Sequence, residues 1–196
     1  MRRAAVGRRL SVKGESNHQI RSQASLIRAQ REGSFHHAVA FYDNDDALAE
    51  QVAKFLDMSR PGTAIVVATR AHRATFERHL TTRVPRYISL DAETLLPDLL
   101  VDNFPDEGRL RAAVGGLLET AGEGPIRIFG EMVALLWERG DVAAALKLEK
   151  LWNGLAEDYR FSLFCAYPAS LFQGSASLES YLRMCGTHSH LVPFKG

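Results

Sequence analysis

The chain lacks the motifs by which α/β proteins of its size hold phosphate. It has no Gly-x-x-x-x-Gly-Lys-Ser/Thr loop and no Gly-x-Gly-x-x-Gly turn, so the usual backbone cradle and lysine for a nucleotide are missing. A Gly-x-Ser-x-Gly nucleophile elbow and the spacings of zinc fingers and metalloproteases are absent as well. No catalytic residue is assigned, and the chain is not expected to be an enzyme. No apolar run approaches the roughly 18 residues needed to span a bilayer. The N-terminus carries arginines without the apolar stretch of a secretory signal. Cysteine is scarce: Cys165 and Cys185 are the only two in 196 residues. Both fall inside apparent secondary elements, which points to reduced thiols and a cytoplasmic setting. Charge of one sign is not in excess either, since 24 Lys+Arg against 23 Asp+Glu leave a net +1. That balance does not mark a nucleic-acid or membrane binder.

The charge is unevenly spread. Residues 1–33 hold eight basic residues (Arg2, Arg3, Arg8, Arg9, Lys13, Arg21, Arg28 and Arg31) against Glu15 and Glu32. With few apolar residues, this segment reads as a basic, flexible leader outside the core. It is the one place where nucleic acid or an acidic partner would bind. Residues 34–194 read as a single domain.

Short apolar runs alternate with helical patterns along that domain, the signature of a parallel α/β sheet. Strands are expected at Phe35 to Tyr42, Thr63 to Thr69, Arg86 to Asp91, Ile126 to Glu131 and Arg160 to Tyr167. His188 to Pro193 would add a sixth strand at an edge. Asp43-Asn44-Asp45-Asp46 caps the first helix, and its three acids and missing glycine disfavour phosphate at the turn where a phosphate loop would sit. Further helices are expected over Ala71 to Leu80, Ala92 to Val101, Pro105 to Ala121, Met132 to Arg139, Val142 to Tyr159 and Ser177 to Cys185. The fold class is α/β with three layers, a mainly parallel sheet carrying helices on both faces.

Open α/β sheets bind ligands at the carboxyl ends of their strands. Glu131 and Tyr167 fall there, so a pocket is expected between them, with His36 or His37 and His188 nearby. Glu131 could bond a ligand or a cation, or act as an acid at a helix N-terminus; the preceding Gly130 points to close approach of something to the backbone. Adjacent strand residues face opposite ways, so only one of His36 and His37 can join a given site. Cys185, His188 and His190 are metal-ligand types at short spacing, but a full site would need Cys165, His36 or His37 to join them in space; otherwise they are a buried thiol and polar strand residues, or a redox pair of Cys165 with Cys185. No metal and no cofactor is assigned. Trp137 and Trp152 read as core.

The segments RIFGEMVALLWERGDVAAALKLEKLWN, FSLFCAYP and CGTHSHLVP, together with the opening FHHAVAFYDNDDALAEQVAKFL, resemble the MEDS domain, the sensory domain of methanogen and methylotroph regulators named partly for the dichloromethane-response repressor. The likeness runs over about residues 34–193. It implies a non-catalytic, cytoplasmic sensory domain for small organic molecules, related to RecA-like ATPases but without their phosphate loop. Matched onto this chain, the resemblance implies ligand-binding roles for His37, Glu131, Glu149, Trp152, Cys165, Tyr167 and His188, and also matches Cys185. Family members often carry a helix-turn-helix or a histidine kinase, and this sequence shows neither. A histidine kinase or transcription regulator acting in trans is therefore the expected partner, beside a small organic ligand. Two other readings stand next to it: a protein-interaction module working on a kinase or sigma-factor regulator, and a divergent nucleotide-binding enzyme.

Overall fold

In the computed structural model, residues 36–58, 61–80, 86–172 and 178–192 are described; the expectations for the basic leader lie outside them. In chain order the elements are β1 (His36–Tyr42), α1 (Asp45–Leu56), β2 (Thr63–Ala68), α2 (Arg70–His79), β3 (Arg86–Asp91), α3 (Ala92–Asp98), β4 (Leu100–Val101) and β5 (Phe104–Pro105). There follow α4 (Glu107–Leu110), a π turn (Arg111–Gly115), α5 (Gly116–Thr120), β6 (Ile126–Gly130), α6 (Met132–Glu138), α7 (Val142–Asp158), β7 (Ser162–Pro168), a 3-10 turn (Ala169–Phe172), α8 (Leu178–Cys185) and β8 (His190–Val192).

Six strands form one sheet in the order β3-β2-β6-β7-β1-β8, and every pair in it is parallel. The central strands are buried on both faces. β2 (TAIVVA) has no exposed residue, which its β-branched and alanine composition allows. The side chains of β1 divide by parity: Ala38, Ala40 and Tyr42 meet Leu48, Val52 and Leu56 of α1 and Phe76 of α2. Val39 joins the opposite core with Met132 to Trp137 of α6, Leu148 and Leu151 of α7 and Leu96 of α3, and Phe41 packs against it. This is the three-layer α/β fold expected from the strand and helix pattern; among the described residues, α1 and α2 cover one face and the other helices the opposite one.

Local chemistry explains the element ends. The Asn44 side chain accepts from the Asp46 and Ala47 amides at 2.8 and 3.1 Å, so the acidic turn after β1 is a helix cap. The Arg127 guanidinium closes the other end of α1 by donating to the Phe55 and Asp57 carbonyls. A Cβ on Gly62 would strike the Pro125 carbonyl, and Gly124 (φ 118°) would strike that of Pro61. These two breaker segments thus pack backbone to backbone, and Thr63 donates to the Pro125 carbonyl at 2.9 Å.

Two expectations are corrected. The helix read over Ala92 to Val101 stops at Asp98, and the chain turns back in a small antiparallel hairpin, Leu100–Val101 with Phe104–Pro105. Asp102 and Asn103 at its tip have φ of 50° and 63°, the left-handed pair that a tight two-residue hairpin turn needs and that Asp and Asn tolerate. The helix read over Pro105 to Ala121 carries a π turn at Arg111–Gly115. Gly115 lies there against Tyr159, whose hydroxyl a Cβ would meet at 3.1 Å.

Candidate functional site

Polar and titratable residues gather at two places, on opposite faces of the sheet. The first is the crevice between β2 and β6, neighbours whose following helices leave to opposite faces, since α2 packs with α1 and α6 packs on the other core. Such a switch point is where open α/β sheets hold ligands. Glu131 sits in it, its own amide donating to the Val67 carbonyl at 2.9 Å. Its carboxylate accepts from the Thr69 amide at 2.7 Å and contacts His72 Nδ1 at 2.5 Å. His72 Nε2 reaches Asp45 at 3.4 Å, and Tyr42 packs edge-on to the imidazole. Burial opposes protonation of His72, but hydrogen bonds and charge from Glu131 and then Asp45 outweigh it and raise its pKa above the ordinary imidazole value. Burial, then the charge of Glu131, pushes the Tyr42 phenol up.

Glu131 is 5% exposed, and it makes no capping bond to its own helix α6. It serves instead the amide of Thr69, the N-cap of α2. Gly130 is not forced by crowding inside the domain, because an added Cβ would meet only Leu163 at an ordinary 3.6 Å.

The second gathering lies under α7 and is sealed. Parity puts the His37 side chain of β1 on that face, and strand register sets Cys165 and Tyr167 of β7 beside Val39 and Phe41. Glu149 points in from α7 and is 0% exposed. His188 comes from the turn after α8. Glu149 Oε2 is 3.1 Å from His37 Nε2, and Oε1 is 3.3 Å from His188 Nε2. Tyr167 donates its hydroxyl to Oε1 at 2.6 Å. The Cys165 thiol lies 3.3 Å from His37 Nε2 and 3.7 Å from Glu149 Oε2. The two imidazoles are 4.1 Å apart between centroids. Burial alone would push the Glu149 carboxyl up, but His188 and His37 reverse this and hold it well below the usual carboxylate range. Burial, then the charge of Glu149, pushes the Cys165 thiol and the Tyr167 phenol well up. Burial lowers His188, and the charge of Glu149 more than reverses that.

Among the residues singled out from sequence, His37, Glu149, Cys165, Tyr167 and His188 thus meet in one cluster. Glu131 stands apart from them with partners of its own. Trp152, one turn along α7 from Glu149, is buried edge-on against Phe161. Cys185 lies outside the four-residue group that could share an ion, and His190 packs with His36. Sequence reasoning passed over His72, although it lies in the first turn of the helix after a buried strand. It also passed over Asn153, which follows Glu149 by four residues and so shares its helix face. The Asn153 amide donates to the Thr187 carbonyl and presents its oxygen to His37 Nδ1, both at 2.9 Å.

Tyr167 has a second set of neighbours. Its ring packs with Phe41, Trp137 and Phe172, and Phe41 and Phe172 also touch Tyr181 of α8. An aromatic group therefore stands at the carboxyl end of β1 and β7, with the polar cluster directly beneath.

The fold is thus a parallel three-layer α/β domain with a buried polar cluster below an aromatic group. The family model for MEDS, the methanogen/methylotroph, DcmR sensory domain, matches residues 36–188. The chain belongs to this family of sensory domains. A comparison with curated proteins gave no match. No helix among the described residues is long and apolar enough to cross a membrane.

Proposed function

We propose that this domain senses a small organic molecule without catalysing a reaction on it, and passes the signal to a partner such as a histidine kinase or transcription regulator. The observation that carries this reading is Tyr167. Its ring belongs to the aromatic group and its hydroxyl to Glu149, so an apolar guest displacing the rings would be felt by the polar cluster. Aromatic walls suit a small hydrocarbon derivative, because such sites are mostly apolar with a few oriented polar groups. Tyr181 ties the same group to α8, and α8 leads directly into His188. Movement of the aromatic rings would thereby reach the surface through one short helix.

The test is a thermal-shift and NMR screen of small halogenated and oxygenated hydrocarbons against the full chain. A true ligand at 100 times its dissociation constant adds about 2.7 kcal/mol of stability, and Tyr181→Ala should weaken it. A screen in which nothing binds, or in which binding ignores Tyr181→Ala and Phe41→Ala, defeats the reading. A second reading, a protein-interaction module working without a small ligand, is favoured by Leu178 and Leu182. They lie one turn apart on α8 and are 60% and 59% exposed.

A further inference from the structure

We propose that His37, Glu149, Cys165 and His188 form a tetrahedral site for a zinc-class divalent cation. The inference goes beyond small-molecule sensing and does not depend on it. Four parts of the chain far apart in sequence (β1, α7, β7 and the turn after α8) each deliver one donor atom, and the four atoms lie within 4.8 Å of one another. Bonds of about 2.0–2.3 Å from zinc to nitrogen, oxygen and sulfur imply donor separations of roughly 3.3–3.8 Å. Among His37 Nε2, Cys165 Sγ and Glu149 Oε2 the separations of 3.1, 3.3 and 3.7 Å fall close to that range, and His188 Nε2 stands 3.3 Å from the other glutamate oxygen, Oε1.

The outer contacts are those that metal-binding histidines need. The His188 ring presents Nδ1 to the Met184 carbonyl at 2.8 Å, which turns Nε2 inward. His37 presents Nδ1 to the Asn153 oxygen, whose orientation is fixed by the amide's bond to Thr187. Tyr167 holds one oxygen of Glu149. His188 Nε2 is buried and makes no hydrogen bond of acceptable geometry, although Glu149 stands at 3.3 Å. A carboxylate facing an imidazole lone pair is repulsive, so this contact needs a proton or a cation between the two atoms. A proton would satisfy the His–Glu pair alone. It gives no reason for a thiol to complete the set.

Two neutral nitrogens, a thiolate and a carboxylate bring a charge of −2, which a divalent ion cancels, leaving a neutral buried centre. On binding, the ion accepts four lone pairs, and the Cys165 thiol proton leaves to solvent with any second proton on the imidazoles. Nitrogen, sulfur and a single carboxylate select zinc, cobalt or nickel over magnesium or calcium.

The experiment uses the tag-free full chain, stripped with chelator and titrated with Zn2+ or Co2+ alone. Expected are one ion bound per chain, the intense d–d bands of tetrahedral Co2+, and a thiolate-to-cobalt charge-transfer band. Cys165→Ser should lose the charge-transfer band, and Cys185→Ser should keep it. His188→Gln should abolish stoichiometric binding. Asn153→Ala, which keeps all four donor atoms but removes the partner of His37 Nδ1, should weaken affinity about 10- to 100-fold. Circular dichroism verifies folding of each variant. If a variant is unfolded, the wild-type cobalt spectrum decides instead. A folded wild-type chain that takes up no stoichiometric ion, a Co2+ spectrum without the charge-transfer band, or a band that follows Cys185 overturns the proposal.

Discussion

The two polar clusters use similar residues under opposite conditions. Each centres on a buried glutamate facing imidazole nitrogens. At the β2–β6 crevice the network opens onto solvent through Asp45, whose side chain is 67% exposed. Under α7 the His37–Glu149–His188 contacts have side chains 1%, 0% and 1% exposed. The difference teaches what each can tolerate. A group at the open rim can exchange a lost partner for water, whereas a sealed one keeps an uncompensated charge. The sealed cluster should therefore dominate stability, and the open one should respond to pH and salt.

The largest expected effect follows from that contrast. Glu149→Ala would leave Tyr167 and Cys165 without their acceptor and His37 and His188 without the carboxylate that faces them. Removing one partner of a buried charged network typically costs about 3–5 kcal/mol, so urea unfolding should show a loss of that order, or the variant should not fold. A loss below about 1 kcal/mol would mean the cluster is wet and the contrast false.

Glu131→Gln should cost less. Its amide oxygen still accepts from Thr69, while the charge-assisted bond to His72 is lost, a change of about 1.5–3 kcal/mol by the usual scale of such bonds. The same variant tests the crevice functionally, since response to a ligand should drop while the fold survives if ligands bind there. Equal losses for Glu131→Gln and Glu149→Ala would erase the distinction between open and sealed.

Much of this frame was legible in the chain. β2 announces itself as TAIVVA, the Asn44 cap as DNDD, and the position of Glu131 follows from a buried strand ending at Gly130. The hairpin at Asp102-Asn103 was missed, because its Leu-Val and Phe-Pro arms lie in an apolar stretch that also fits a helix. The pairing of Glu149 with His37 and His188 was not legible. Its partners lie 112 and 39 residues away along the chain, and only the parallel register of β1 with β7 and the docking of α8 bring them together. Strand parity could say that one of His36 and His37 would face a given site, but not which layer would hold the acid. His72 escaped because a histidine in a short, polar helix carries no periodic signal of its own.

A pH series sharpens the comparison further. His72 faces Glu131 and Asp45, with the Tyr42 ring beside it. Its folded pKa is raised, so the folded state holds the proton more tightly than the unfolded chain. The stability gained this way is fully present below the unfolded value of about 6.5 and is lost as pH rises through the raised folded value. The advantage of the wild type over His72→Gln in urea unfolding should therefore shrink as pH rises above about 6.5. An advantage that grows with pH would mean that His72 is neutral in the fold and that Glu131 draws its charge compensation elsewhere.

The smallest effect is expected at the rim itself. Asp45 contacts His72 Nε2 at 3.4 Å from the first turn of α1, where water competes for both partners. Exposed ion pairs contribute about 0–1 kcal/mol and weaken with salt. Asp45→Asn keeps the shape and the exposed position while removing the charge. Its cost in urea unfolding should stay under about 1 kcal/mol and vanish in high salt. It should also lower the pKa of His72, readable by NMR titration of the imidazole, since Asp45 is one of the two acids that raise it. A loss as large as that of Glu131→Gln, insensitive to salt, would show that the crevice is closed in solution. Both clusters would then be sealed, and the contrast between them would be lost.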